Sequence, residues 1–285
     1  MEDNVLQNPI KEFFIKVIEL QGTLRHIERI LLRDLKLFNS KELQNSGIKS
    51  LHGNHLIIGD LTGPDENGWK INYPTGISRV LEVENYQKEI NFLIQRESAF
   101  MIAQAYEAFE TFLKDIIASY LFLNKDLGKQ VSEEFQDSMT IEEYKITIRK
   151  DSMRRGDKFG GTNNEGFFKF LRRHSTNFKN FETHNNSEIN IREWYKIYSE
   201  VRHAIIHSSS LVKEQNVKGW SKDKLTLFQK NFPYSKIENS YKLEISSSSA
   251  LKALNMISEL AFQVFKSLSI EANLEWKILL HMNKD

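Results

Sequence analysis

The chain contains no cysteine. That absence excludes disulfides, thiolate nucleophiles and thiolate metal sites. Glycine and proline are scarce, with 13 and 4 copies in 285 residues, which sets aside collagen-like and Pro-rich disordered chains. No charge of one sign dominates. The formal net charge is +1, so any nucleic-acid site must be local rather than a property of the whole surface. No run approaches the roughly eighteen consecutive apolar residues of a membrane-spanning helix. The opening Met1-Glu2-Asp3-Asn4 lacks the basic and then apolar order of a signal peptide. A soluble, cytoplasmic protein with no membrane association is the expectation. The length suits one large domain or two modest ones, with a real hydrophobic core.

What is present reads as helix. Phe13, Val17, Leu20, Leu24, Ile27, Leu31 and Leu35 recur at spacings of three and four, predicting a helix from about Pro9 to Leu37. Residues 38–75 break that period. The runs 55–59 and 69–73 are candidate strands flanking the turn-rich stretch from Gly63 to Gly68. Those two glycines do not form a phosphate loop, because Trp69 stands where the loop's lysine belongs. Helix returns from about Glu82 to Leu123, with Phe100, Ala103, Tyr106, Phe109, Phe112, Leu113, Ile116 and Ile117 on one broad face. Thr140 and Glu143 have the spacing of a capping box. A loop over 157–166 precedes a short helix through Phe167, Phe168, Phe170 and Leu171.

Ser187 or Asn190 caps a further helix that ends near His207 and buries Trp194, Ile197, Tyr198, Val201, Ala204 and Ile205. Residues 225–228 and 241–245 alternate as two hairpin strands. A last helix spans about 248–270. The predicted fold is all-α: a helical bundle with an additional N-terminal helix and small β-hairpin excursions. The expected division is residues 1–81 as an N-terminal helical extension with a short hairpin and residues 82–285 as the bundle. The first helix either adds a layer or forms a small subdomain.

Imidazole is the side chain suited to proton transfer near neutral pH. His203 and His207 lie four apart, hence on one helical face, with Glu200 three before His203. Arg202 lies about 140° around the helix from His207. Such a pair also occurs as ordinary surface or core-edge histidines. It has the spacing of two zinc ligands as well, but no His-Glu-x-x-His accompanies it. Arg202 has no carboxylate one turn back on its own helix, so a structural partner must come from another helix.

The stretch from Glu200 to His207, with four residues between Arg202 and His207, resembles the signature of the HEPN superfamily. The upstream helix over 103–115 is similar to the first long helix of such domains. The resemblance covers roughly residues 90–272 and leaves residues 1–80 unexplained. It implies a HEPN-like bundle that assembles as a homodimer and cuts RNA without a metal or cofactor, using the substrate's 2′-hydroxyl as nucleophile. By the same resemblance His207 is the general acid or base and Arg202 holds the scissile phosphate. His203 orients substrate or water, and Glu107 or Glu110 supports the motif. A toxin-like or antiviral defence effector is the implied role, with a regulatory or inhibitor protein as a further partner. Some members keep the fold without cleaving, so a non-catalytic dimeric scaffold or regulator is the alternative. A helical interaction protein with a chance match is the third reading.

Charge is uneven along the chain. Residues 142–180 hold ten Lys and Arg against five Asp and Glu. Arg154, Arg155, Lys158, Arg172, Arg173 and Lys179 are the candidate RNA contacts, with His174 and Phe178 interleaved for base stacking. A solvated helix face explains the same charge run. Lys218, Lys222, Lys224 and Lys230 add a milder surplus.

Overall fold

The apolar spacing near the N-terminus produces one helix, α1 (Gln7–Phe38), in which Phe13, Val17, Leu20 and Leu24 are buried. The computed structural model describes residues 4–40, 45–59, 62–64, 66–68, 72–151, 165–186 and 188–277. Arg154, Arg155 and Lys158 lie outside the described residues, as do Ser187 and residues 69–71 of the second expected strand.

The chain divides into two units, one spanning His26–Arg96 and the other formed by the residues up to Arg25 and from Glu97 onward. The boundary expected at residue 81 falls inside the first of these. In the His26–Arg96 unit, β1 (Ser50–Gly59) pairs antiparallel with β2 (Asn72–Glu82), with Ser50 opposite Glu82 and Gly59 opposite Asn72. Both strands run longer than the alternation predicts. A 3-10 turn (Val83–Asn85) then leads into α2 (Tyr86–Leu123), so Glu82 ends a strand instead of starting the helix. Phe38 stacks on Tyr86 at 4.1 Å, and Arg79 pairs with Glu89 at 2.5 Å.

The other unit is built on α2 from Glu97 onward. Ile102, Tyr106, Phe109, Leu113, Ile116 and Ile117 are buried, although Phe100 is exposed. After α2 come α3 (Lys125–Val131), α4 (Ile141–Asp151), α5 (Glu165–His174) and α6 (Thr176–Phe181). They are followed by α7 (Ile191–His207), α8 (Glu214–Val217), α9 (Lys222–Asn231) and α10 (Ser247–Glu271). Phe13 of α1 meets Phe109 and Phe112 at 5.9 and 5.4 Å. Phe122 meets Tyr144 of α4 at 5.6 Å, and the buried Asp115 accepts two hydrogen bonds from Arg149 at 3.0 and 2.7 Å. The capping box forms as its spacing predicts. Thr140 N–H donates to Glu143 at 2.6 Å, and Glu143 N–H donates back to the Thr140 hydroxyl at 3.3 Å. Helix α10 buries Leu254, Ile257, Leu260, Val264, Phe265 and Leu268.

The described chain is thus predominantly helical, with two small antiparallel sheets. The second sheet has the order β3-β5-β4, from β3 (Leu211–Lys213), β4 (Tyr234–Ile237) and β5 (Ser240–Leu243). One expectation fails here. Residues 225–228 lie inside α9 and are not a strand; the partners of β5 are 211–213 and 234–237. Leu225 and Phe228 stand three apart, a helical spacing, and Ser221 caps α9 by accepting from Lys224 N–H. No helix among the described residues is long and apolar enough to cross a membrane.

Candidate functional site

Helix α7 is fixed at its N-terminus and along its buried face. Asn190 caps it by accepting from Glu193 N–H at 3.1 Å, the second of the two candidate caps. Its predicted stripe, from Trp194 to Ile205, is buried throughout. Tyr195 stacks on Tyr106 of α2 at 5.3 Å, and the buried Tyr198 hydroxyl donates to the Ile102 carbonyl at 2.9 Å. Burial pushes that phenol far above its usual range, so it acts as a fixed donor. Packing of this kind sets the rotation of α7 against α2 and leaves the motif side chains at the edge of the contact.

At that edge Arg202 Nε donates to Glu107 Oε1 at 2.6 Å, and Nη2 donates to the same oxygen. The arginine therefore has a carboxylate partner on another helix, Glu107, one of the two acids named from the sequence. Glu107 is half exposed and Arg202 about one quarter exposed. His203 and His207 are both exposed, with ring centroids 4.9 Å apart and planes tilted by 49°. Ile206 stands beside them with 45 % of its surface exposed. Helix α7 stops directly after His207, where Ser209 and Ser210 take positive φ values of 50° and 64° and Ser210 N–H returns to the Ala204 carbonyl. Among the described residues no three of His, Asp or Glu gather as a metal site, so the histidine pair has no third ligand there.

A groove of about 410 Å³ runs between α1 and α2 beside this site. Its lining combines Glu12, Glu107 and Asp115 with Lys16 and the apolar Phe13 and Phe112.

The basic candidates separate. Arg173 and Lys179 are exposed. Arg172 is mostly covered, with its Nε on Glu182 at 2.6 Å. Burial raises the Glu182 carboxyl above its ordinary range, against the pull of Arg172 and Arg192. Phe178 is wholly buried, which removes it as a base-stacking surface: it packs at 6.0 Å from Phe168, on the inner face of the short helix. His174 lies against Phe170 at 4.5 Å; burial, helped by Arg173, lowers its pKa. In the lysine-rich stretch Lys218, Lys222 and Lys230 are exposed, whereas Lys224 is held over the Trp220 ring at 4.3 Å.

A second cavity, of about 180 Å³, lies between α5, α7 and α9. It gathers Arg172, Arg192, Lys196 and Lys224 with Ser199 and two acids, Glu165 and Glu200. Of these, the sequence marks Arg172 as a candidate RNA contact and Lys224 as part of a lysine surplus. The signal for the others is periodic: Arg192, Lys196, Ser199 and His203 follow one another at spacings of three and four along α7.

No family model, no curated protein and no solved structure matches the chain.

Proposed function

We propose that the protein is an endoribonuclease that cleaves RNA through the substrate's own 2′-hydroxyl, working as a homodimer in which the α7 helices of two copies approach each other. The observation that carries this reading is the cluster at the end of α7: two exposed imidazoles 4.9 Å apart beside an arginine steadied by Glu107. The reaction needs a base to take the 2′-hydroxyl proton, a donor to protonate the departing 5′-oxygen, and a cation at the phosphorus-bound oxygens. His207 takes one proton-transfer role. His203, one turn away, stands where it orients the substrate or supplies the second imidazole. Arg202 keeps N–H donors beyond those committed to Glu107 and offers them to the phosphate. The bond formed joins the 2′-oxygen to phosphorus and the bond broken releases the 5′-oxygen, leaving a 2′,3′-cyclic phosphate end. Exposed Arg173 and Lys179 supply backbone contacts. A toxin-like or antiviral role, and control by an inhibitor or regulatory protein, belong to the same proposal.

The Arg202–Glu107 pair also favours a second reading. An arginine committed to a neighbouring helix is what a non-catalytic HEPN-like scaffold or regulator would retain. Cleavage of a mixed RNA pool in excess EDTA separates the two. The ribonuclease reading expects cleavage in EDTA and none at a linkage carrying a 2′-deoxy sugar. Cleavage that needs Mg²⁺, or that proceeds past the deoxy position, sinks the proposed chemistry. A folded protein that cuts no RNA leaves the scaffold reading standing.

A further inference from the structure

The cavity between α5, α7 and α9 is richer in hydrogen-bond donors than its own acids use. Arg172 directs Nε to Glu182 Oε2, and its Nη2 is buried with no hydrogen-bond partner among the described residues, as is Oε1 of the same Glu182. Lys196 and Lys224 share the single carboxylate of Glu193 at 3.5 and 3.7 Å, both long contacts. Arg192 bonds one oxygen of Glu165. Ser199 lines the same space, as do the rings of Phe168 and Tyr195. Burial lowers the Lys224 pKa in spite of Glu193 and Glu200, so its positive charge is under-compensated. A buried donor without an acceptor carries a cost that an anion placed here relieves.

Size and position narrow the ligand. A volume of about 180 Å³ falls below the roughly 300–1,000 Å³ of pockets that enclose whole small molecules, so the cavity takes a group and not a complete cofactor. Arg192, Lys196 and Ser199 lie on the stripe of α7 that continues to His203 and His207. Ser199 and His203 are one turn apart, about 6 Å along the axis, close to the separation of neighbouring phosphates on an extended strand. The acids Glu165 and Glu200 limit the affinity for any anion, which suits a subsite that aligns a strand better than a tight pocket for a free ligand.

We propose that this cavity is a phosphate subsite, seating a backbone phosphate of the RNA next to the linkage that the histidines act on. The proposal rests on the ribonuclease reading for its choice of RNA as the source of the phosphate.

Trp220 gives a readout independent of cleavage, because Lys224 sits over its ring. Inorganic phosphate is titrated into the full chain while Trp220 fluorescence is followed, with Trp220→Phe as the control for the other tryptophans. A fully 2′-O-methylated oligoribonucleotide, which has no free 2′-hydroxyl, then competes. The expected result is a saturable change that the oligonucleotide displaces. Arg192→Gln should weaken phosphate by about tenfold or more, the loss of a charge-assisted hydrogen bond. Lys196→Gln should behave alike, giving a second variant should the first disturb α7. No phosphate-dependent change, or equal affinity in both folded variants, refutes the site. Phosphate binding that the oligonucleotide leaves undisturbed assigns the cavity to a free phosphate compound and refutes the RNA subsite. Displacement by the oligonucleotide in a protein that cuts no RNA upholds the subsite and removes only the ribonuclease reading.

Discussion

Arg202 and Glu107 form a pair whose value is positional. Exposed ion pairs of this kind add about 0–1 kcal/mol to stability, too little to explain a fixed guanidinium on energetic grounds. In the proposed mechanism Glu107 is a positioning residue: it aims Arg202 without touching the substrate. Glu107→Ala is therefore expected to lower kcat with little change in KM and to leave the melting temperature in place. An equal rise in KM would mean that the acid serves general binding. His207→Ala should cost roughly 10²–10⁴-fold in rate, the contribution of a positioned acid or base. Its fold should persist, since the ring is exposed. Arg202→Lys keeps the charge but loses the planar two-point grip, so partial activity is expected. Wild-type cleavage by a folded His207→Ala protein would end the assignment. At this scale the histidine spacing was legible, because four residues make one helical turn. The identity of the arginine's partner was narrowed to two acids by resemblance alone, since no local period relates Arg202 to a residue ninety-five positions away. Arg192 and Lys196 went unread as part of a site, and Lys224 showed only as part of a lysine surplus, for a similar reason: each lysine or arginine looks like solvated helix surface until a second element folds over it.

At the scale of elements, α7 carries the site and its capping residue controls how firmly it does so. The Asn190 side chain accepts from Glu193 N–H at the first turn, and the strained exit at Ser209 and Ser210 follows immediately on His207. Asn190→Ala is expected to cost about 1 kcal/mol of stability. A urea denaturation with unchanged slope and a lower midpoint checks it. Identical midpoints would show that the buried stripe alone holds the helix. The long helices were legible because six to eight apolar residues at helical spacing leave no competing period, as in α1, α7 and α10. The short elements were not. Leu225-Thr226-Leu227-Phe228 alternates like a strand and also places Leu225 and Phe228 on one turn of helix; four residues cannot separate the two periods. The deciding features were Ser221 as the cap and the burial of Phe228, and the second of these belongs to tertiary structure. Of the ribbon, the second half of β1 was legible, whereas only residues 72–73 of the second expected strand fall in β2, which continues through Pro74 and Gly76, residues that punctuate most strands.

For the whole molecule, the division at His26 and Arg96 runs through two continuous helices, α1 and α2, and no shift in composition marks it. Assembly is the larger question, and Ile206 is the residue that answers it. In a helix ending at His207, Ile206 shares the outward face with His203 and His207, and 45 % of its surface is exposed. A two-fold axis beside that face would cover the isoleucine and bring two sets of Arg202, His203 and His207 together, so that acid and base need not come from one chain. Ile206→Glu tests this without touching the reacting groups. The charge is tolerated on an exposed monomer face but placed in an apolar contact on the axis, where it meets its own copy. Light scattering should give about twice the 33.4 kDa chain mass for the wild type and one chain mass for the variant. Cleavage by the variant should fall at low protein concentration and recover as concentration rises, because dimerisation then limits the rate. A wild type that scatters as a monomer while cleaving RNA, or an Ile206→Glu dimer as stable as the wild type, would place the interface elsewhere and require one α7 to supply both proton-transfer groups.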